Sequence, residues 1–228
     1  MPILAAIAVI ALLALVFGPS LWAKRVLVQH SGERADFPGT GGELARHLLD
    51  EAGLEEVRVE VVPAGDHYDP EKKAVRLTPA HHDGRSLTAV AVAAHEVGHA
   101  LQDRDGYRPL QTRSELLRST AVVQRIGSAI IFASPILAAL ARSPVVGLLG
   151  VGAGIMTLAL NVVIHLVTLP VEFDASFTRA LPLLEKERYL NEADLPAARS
   201  ILKACALTYV ASSLASLLNL ARWIRYLR

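Results

Sequence analysis

Cysteine is nearly absent from the chain: of 228 residues only Cys205 carries a thiol. That excludes an internal disulfide framework and any zinc site that needs two cysteines from this chain. An excess of either charge is also missing. Lys and Arg number 23 and Asp and Glu 22, a net charge of +1, so no basic surplus points to nucleic acid. Charged residues make up only 20% against 52% hydrophobic, and mean hydropathy is +0.37. Such a chain has too much apolar surface to stay disordered. The apolar residues are bunched into long runs, which argues against an ordinary soluble domain. Eight histidines leave a histidine-based metal site open.

The first run, residues 3–17, extends through Leu21 and Trp22, with no Lys or Arg before it. It reads as a retained membrane helix rather than a signal peptide, with Trp22, Lys24 and Arg25 as an interfacial collar. The second runs from Ile126 to Ala141 around Pro135 and is short unless it reaches back through Ala121 and Val122. The third, Pro144 to Leu169, has no Asp, Glu, Lys or Arg and exceeds the roughly 20 residues a bilayer requires. The fourth, Ala204 to Ala221, carries Thr208, Ser212, Ser213, Ser216 and Asn219, and either spans or packs within the bundle; Arg222, Arg225 and Arg228 follow it. Gly147, Gly150, Gly152 and Gly154 in the third run read as close helix packing, since no strand precedes them as a phosphate loop requires. Lys24 and Arg25, with the basic residues from Arg179 to Lys203, place residues 24–118 and 170–203 on the cytoplasmic side.

Residues 24–118 hold most of the polar sequence. Thr40 to Glu43 has capping-box spacing ahead of Leu44, Leu48 and Leu49, and Gly53 ends that helix. Val57 to Val62 reads as a strand closed by Pro63, residues 64–73 as a turn-rich loop, Ala74 to Thr78 as a second strand, and Leu87 to Gln102 as an alanine-rich helix. Helix–strand–strand–helix predicts a small α+β layer.

Within the last helix stands His95-Glu96-Val97-Gly98-His99. Histidines at i and i+4 share one helix face, so both imidazoles reach a single zinc ion, and Glu96 beside the first is placed to act as general base on a zinc-activated water. Gly98 is costly inside a helix and predicts close approach of another backbone or of substrate. A catalytic zinc needs a third protein ligand. No histidine follows at His-x-x-Gly-x-x-His spacing, so the ligand is a carboxylate or histidine elsewhere. Glu172, directly after the third run and close to a Pro170 suited to starting a new helix, is the strongest candidate.

AAHEVGHALQ, two apolar runs, LPVEFDAS and then KACALTYVA, with GDHYDP upstream, resemble the YugP-type bacterial membrane zinc metallopeptidases over nearly the whole chain. The resemblance implies a zinc peptidase with His95, His99 and Glu172 as ligands and Glu96 as catalytic base. There is a more distant likeness to HtpX and the prenyl-processing membrane proteases. Those typically carry Asp four residues after the ligand Glu, whereas here that position is Ser176 and Asp174 lies two after.

Asp174 stands as a partner for a ligand histidine or as a surface acid, and Arg179 as a carbonyl-polarising group or an ion-pair member. His165 reads as a hydrogen-bonded bundle residue within a span, and Tyr209 as packing or as a contact to the tetrahedral intermediate. His67, Tyr68 and Asp69 are a turn before they are a second metal site, and His81 and His82 read as loop residues. Residues 75–78 offer a strand edge for an extended peptide.

The expected fold is mainly α. It is a membrane helical bundle with a small α+β zinc-metallopeptidase domain bearing the HExxH helix, divided as 1–23 N-terminal transmembrane helix, 24–118 cytoplasmic α+β part, 119–169 two transmembrane helices, and 170–228 Glu-ligand helix and C-terminal apolar helix. The expected function is a zinc endopeptidase of the bacterial inner membrane, with one Zn2+ per chain, acting on peptides or proteins, membrane proteins among them. The alternatives are a non-catalytic membrane scaffold with a structural zinc closed by His67 or His165, and a transporter using His165 and Asn161.

Overall fold

The structure, a computed structural model, describes residues 2–186 and 189–208. Tyr209, the rest of the fourth apolar run and Arg222, Arg225 and Arg228 lie outside the described residues, as does the side chain of Asn161. The described chain is mainly helical with one small sheet. Helix α1 spans Pro2–Gln29 and α2 Gly41–Glu51; strands β1, β2 and β3 span Arg58–Val61, His67–Asp69 and Ala74–Leu77. Then come α3 (Pro79–His82), α4 (Leu87–Arg104), α5 (Arg108–Ala141) and α6 (Pro144–Phe173). A π-helical segment, Asp174–Ala180, leads into α7 (Leu181–Lys186). Residues 195–208 are helical.

Helix α2 starts as its sequence requires. The Thr40 hydroxyl accepts from the Glu43 N–H while the Glu43 carboxylate accepts from the Thr40 N–H, and Gly53 at φ +69° takes the left-handed turn after the helix. Helix α4 begins at Ser86, whose side chain accepts from the Ala89 N–H. Every residue of α4 from Leu87 to Gln102 is buried. Around it pack α2, the sheet and the π-helical segment, with Leu48, Leu49, Leu77, Val97, Ile201 and Leu202 in the core. The end of α1 joins this core through Ala23 and Val26, and the Leu27 carbonyl accepts from the Thr88 hydroxyl at 2.8 Å.

The sheet order is β1–β3–β2, parallel between β1 and β3 and antiparallel between β3 and β2. This corrects the expected strand edge at residues 75–78. β3 is the central strand, and its backbone is committed to neighbours on both sides. The outer positions belong to β1 and to β2, which forms inside the stretch expected to be a turn-rich loop. Only the end of that stretch is a turn, where Asp69 accepts from the N–H groups of Glu71 and Lys72. The Tyr68 hydroxyl donates to Asp103 at 2.7 Å, which ties β2 to the C-terminal end of α4. His81 and His82 lie in α3 rather than in a loop, and the His81 ring pairs with Asp66 at 2.8 Å.

α5 and α6 form a helical hairpin. α5 begins at Arg108 and runs unbroken through residue 118 and past Pro135. A Cβ on Gly150 would collide with the Ser134 hydroxyl, so that glycine lets the two helices approach, whereas Gly152 faces open space. Phe132, Leu140 and Leu148 point outward. Among the described residues, α5 is the one helix long and apolar enough to cross a membrane. Pro170 does not start a new helix. α6 continues through it to Phe173, and its C-terminal turn is closed by the Asp174 N–H on the carbonyls of Pro170 and Val171. A proline inside a helix is tolerated where neighbouring segments hold the backbone.

Candidate metal centre

α4 presents His95 and His99 one turn apart, with their rings edge to face at 4.8 Å. The end of α6 crosses them and delivers Glu172, which is fully buried. Its Oε2 lies 3.2 Å from His95 Nε2 and 3.4 Å from His99 Nε2. Ligand atoms of the three residues lie within 4.8 Å of one another. What allows this approach is Gly98, where a Cβ would stand 2.6 Å from the Ala175 carbonyl oxygen. The close backbone expected at that glycine is the π-helical segment, whose widened turn is closed by the Leu181 N–H on the Ser176 carbonyl.

The outer nitrogens of both imidazoles are fixed by neighbours. The Ser176 hydroxyl lies 3.0 Å from His95 Nδ1 and donates to the Leu202 carbonyl, so its oxygen accepts the His95 Nδ1–H. The Gln102 amide nitrogen donates to the Val171 carbonyl and to Asp174, both at 2.8 Å. Its Oε1 therefore faces His99 and accepts the Nδ1–H at 2.9 Å. These assignments follow from the network, because the Leu202 and Val171 carbonyls and the Asp174 carboxylate only accept. Both Nε2 atoms consequently converge on the Glu172 carboxylate. Three electron-pair donors meeting in a buried space, with Glu172 Oε1 making no hydrogen bond, are a set that a divalent cation fits. Burial would lower the His99 imidazole, but Glu172 beside it raises it.

Glu96 is buried on the same helix, and burial pushes its carboxyl up, opposed by His95 and His99. It lines a cavity of about 480 Å³ together with His95, His99 and Glu172. Asp174 does not reach a histidine directly. Gln102 stands between, and Arg179 Nε donates to the same Asp174 oxygen at 2.8 Å while its other end pairs with Asp105. Arg179 is thus held among carboxylates. His165 lies on α6 outside the three-residue cluster, and the His67 Nδ1–H donates to the Gly65 carbonyl at 2.8 Å rather than joining a second metal group. Gln102 and Arg113 were not foreseen. Gln102 sits three residues after His99 on the same helix face, a usable signal. Arg113, whose Nη1 is 3.4 Å from Glu172 Oε1, offers none.

A family model described as "Putative neutral zinc metallopeptidase" matches residues 5–228. The chain belongs to this family. "Putative membrane protease YugP" of Bacillus subtilis (strain 168) is 36% identical over 213 residues, 91% of each chain. No solved structure matches. Family membership implies zinc, and the buried His95–His99–Glu172 cluster is the group of described residues suited to hold it.

Proposed function

We propose that the protein is a membrane-bound, zinc-dependent endopeptidase that hydrolyses peptide bonds with Glu96 as general base. The observation that carries this reading is the convergence of the cluster. Both imidazoles turn Nδ1 to Ser176 or Gln102 and Nε2 to one buried carboxylate. His95, His99 and Glu172 would hold one zinc per chain and leave a coordination position open, as a catalytic rather than a structural site requires. A zinc ion there supplies a Lewis acid that makes water more acidic and polarises a carbonyl. Glu96, in the same cavity, takes the proton of the attacking water as the new C–O bond forms and hands it to the leaving amine as the C–N bond breaks. The scaffold alternative needs a fourth protein ligand; His67 is turned to Gly65 and His165 lies outside the cluster. Protein purified in detergent should hydrolyse peptides with one zinc per chain, lose activity to a chelator and regain it on addition of zinc. Zinc-loaded protein that cleaves no peptide library would refute the reading.

The same reading places α1, α5 and α6 in a bacterial inner membrane and the α4 cavity at its cytoplasmic face, with peptides or membrane proteins as substrates. It is supported by the outward apolar residues of the hairpin, by the distribution of Lys and Arg, and by the relative named as a membrane protease. A cysteine at Asp83, in an otherwise thiol-free variant, should be unreactive to an impermeant reagent in intact cells and reactive once they are broken. Labelling in intact cells would reverse the orientation.

A further inference from the structure

The cavity that holds Glu96 lies close to where the apolar runs end, and three helices measure the gap separately. On α6, Glu172 stands six residues after Leu166. On α1, Leu27 lines the cavity six residues after Leu21, and on α5 Leu117 lines it nine residues before Ile126. Leu21, Ile126 and Leu166 are each more than half exposed, as side chains facing lipid would be. At 1.5 Å of rise per residue, these stretches of helix are about 9, 9 and 14 Å long. Tilting a helix only lowers its end toward the membrane, so each length is an upper bound on height. The headgroup layer reaches about 5–8 Å beyond the hydrocarbon on each side. The cavity therefore opens level with the headgroups or just above them. Its α5 wall is one helix face, Leu110, Ser114 and Leu117, and among the described residues α5 is the helix long and apolar enough to cross a membrane. At the mouth, Glu71 and Arg118 pair at 3.0 Å with both side chains mostly exposed.

We infer that the substrates are polypeptides anchored in the same bilayer and cut within the first few residues beyond the hydrocarbon, the short stretch of helix between span and cavity setting that distance. This rests on the membrane-bound peptidase reading. A folded soluble protein keeps its backbone behind its own surface and would have to press into the headgroups to thread a segment into the cavity. A chain anchored beside the enzyme already lies at the right height. Extended at 3.3–3.6 Å per residue, about three or four of its residues cover the gap. The shared bilayer also holds the two chains together, which raises the effective concentration of the segment without any new contact.

The test uses the zinc-loaded full chain in vesicles of phosphatidylethanolamine and phosphatidylglycerol. A sequence that it cleaves in detergent is placed about 4, 12 or 24 residues beyond a single transmembrane anchor, or supplied with no anchor. The shortest spacer should be cut at least about tenfold faster than the free peptide at equal concentration, and the rate should fall as the spacer lengthens. A shortest spacer that resists while the longest is cut would put the site high above the membrane and overturn the inference. So would equal rates for anchored and free chains. A second readout needs no turnover. Bimane on Glu71→Cys, in a Cys205→Ala background, should be strongly quenched by nitroxides carried on the lipid headgroups, and an unquenched label would equally overturn the inference. A zinc-loaded protein that cleaves no sequence in detergent, with its label quenched, would instead bring down the peptidase reading on which the inference rests.

Discussion

Glu172→Ala should leave the protein unable to retain zinc and without peptidase activity. His95 and His99 supply two ligands from one helix, and two rarely hold a catalytic zinc. On the proposed reading the third is Glu172, a fully buried carboxylate whose Oε2 stands 3.2 and 3.4 Å from the two imidazole nitrogens. Gln102→Leu is the informative comparison. It removes the acceptor that orients His99 but leaves all three ligands, so it should cost roughly 10–100-fold in zinc affinity, the usual consequence of losing an outer partner. Glu172→Ala should cost at least about that much and more. Glu172→Gln, nearly the same size, separates loss of the ligand from loss of packing and should bind zinc almost as poorly. Competition titration with a chromogenic chelator reads all three. Wild-type affinity in Glu172→Ala would mean that another residue is the third ligand.

Glu96→Gln should keep one zinc per chain and lose hydrolysis by about 10²–10⁴-fold in kcat, the range ascribed to a positioned acid–base group. The amide preserves the volume of a side chain that is 5% exposed, so the core of α4 is undisturbed. It has no carboxylate to take the proton of water. KM should change little, because on the proposed reading Glu96 acts on the attacking water rather than on the bound peptide. Steady-state kinetics beside metal analysis gives the answer. Undiminished turnover would remove Glu96 from the mechanism, and loss of zinc would make it a ligand.

The parts of this protein legible in its sequence were those carried by local spacing. The Thr40–Glu43 cap, the buried α4, the i, i+4 histidines and the backbone approach at Gly98 each follow from a few adjacent residues. Ser176 stood out as a departure from a related motif, and the structure puts its hydroxyl on His95. Strand β2 was hidden because three residues are too few to show alternation and Asp69–Pro70 reads as a turn. The order β1–β3–β2 was hidden because strand adjacency depends on what α4 covers, which no single strand records. Pro170 misled because its preference for a first turn is local, whereas its tolerance within α6 comes from tertiary support. Arg113 and Gln102 gain their meaning from α6, which crosses them only after the chain has folded.

The 77 residues separating His95 from Glu172 also impose an order on biogenesis. A nascent chain emerging from the ribosome displays both histidines and the base long before the third ligand has been synthesised, and the α5–α6 hairpin must be completed in between. Until that hairpin has folded back, the two histidines and the base have no third ligand beside them and no Arg113–Glu172 pair. On the proposed reading, hydrolytic competence is therefore acquired only once the hairpin is in place.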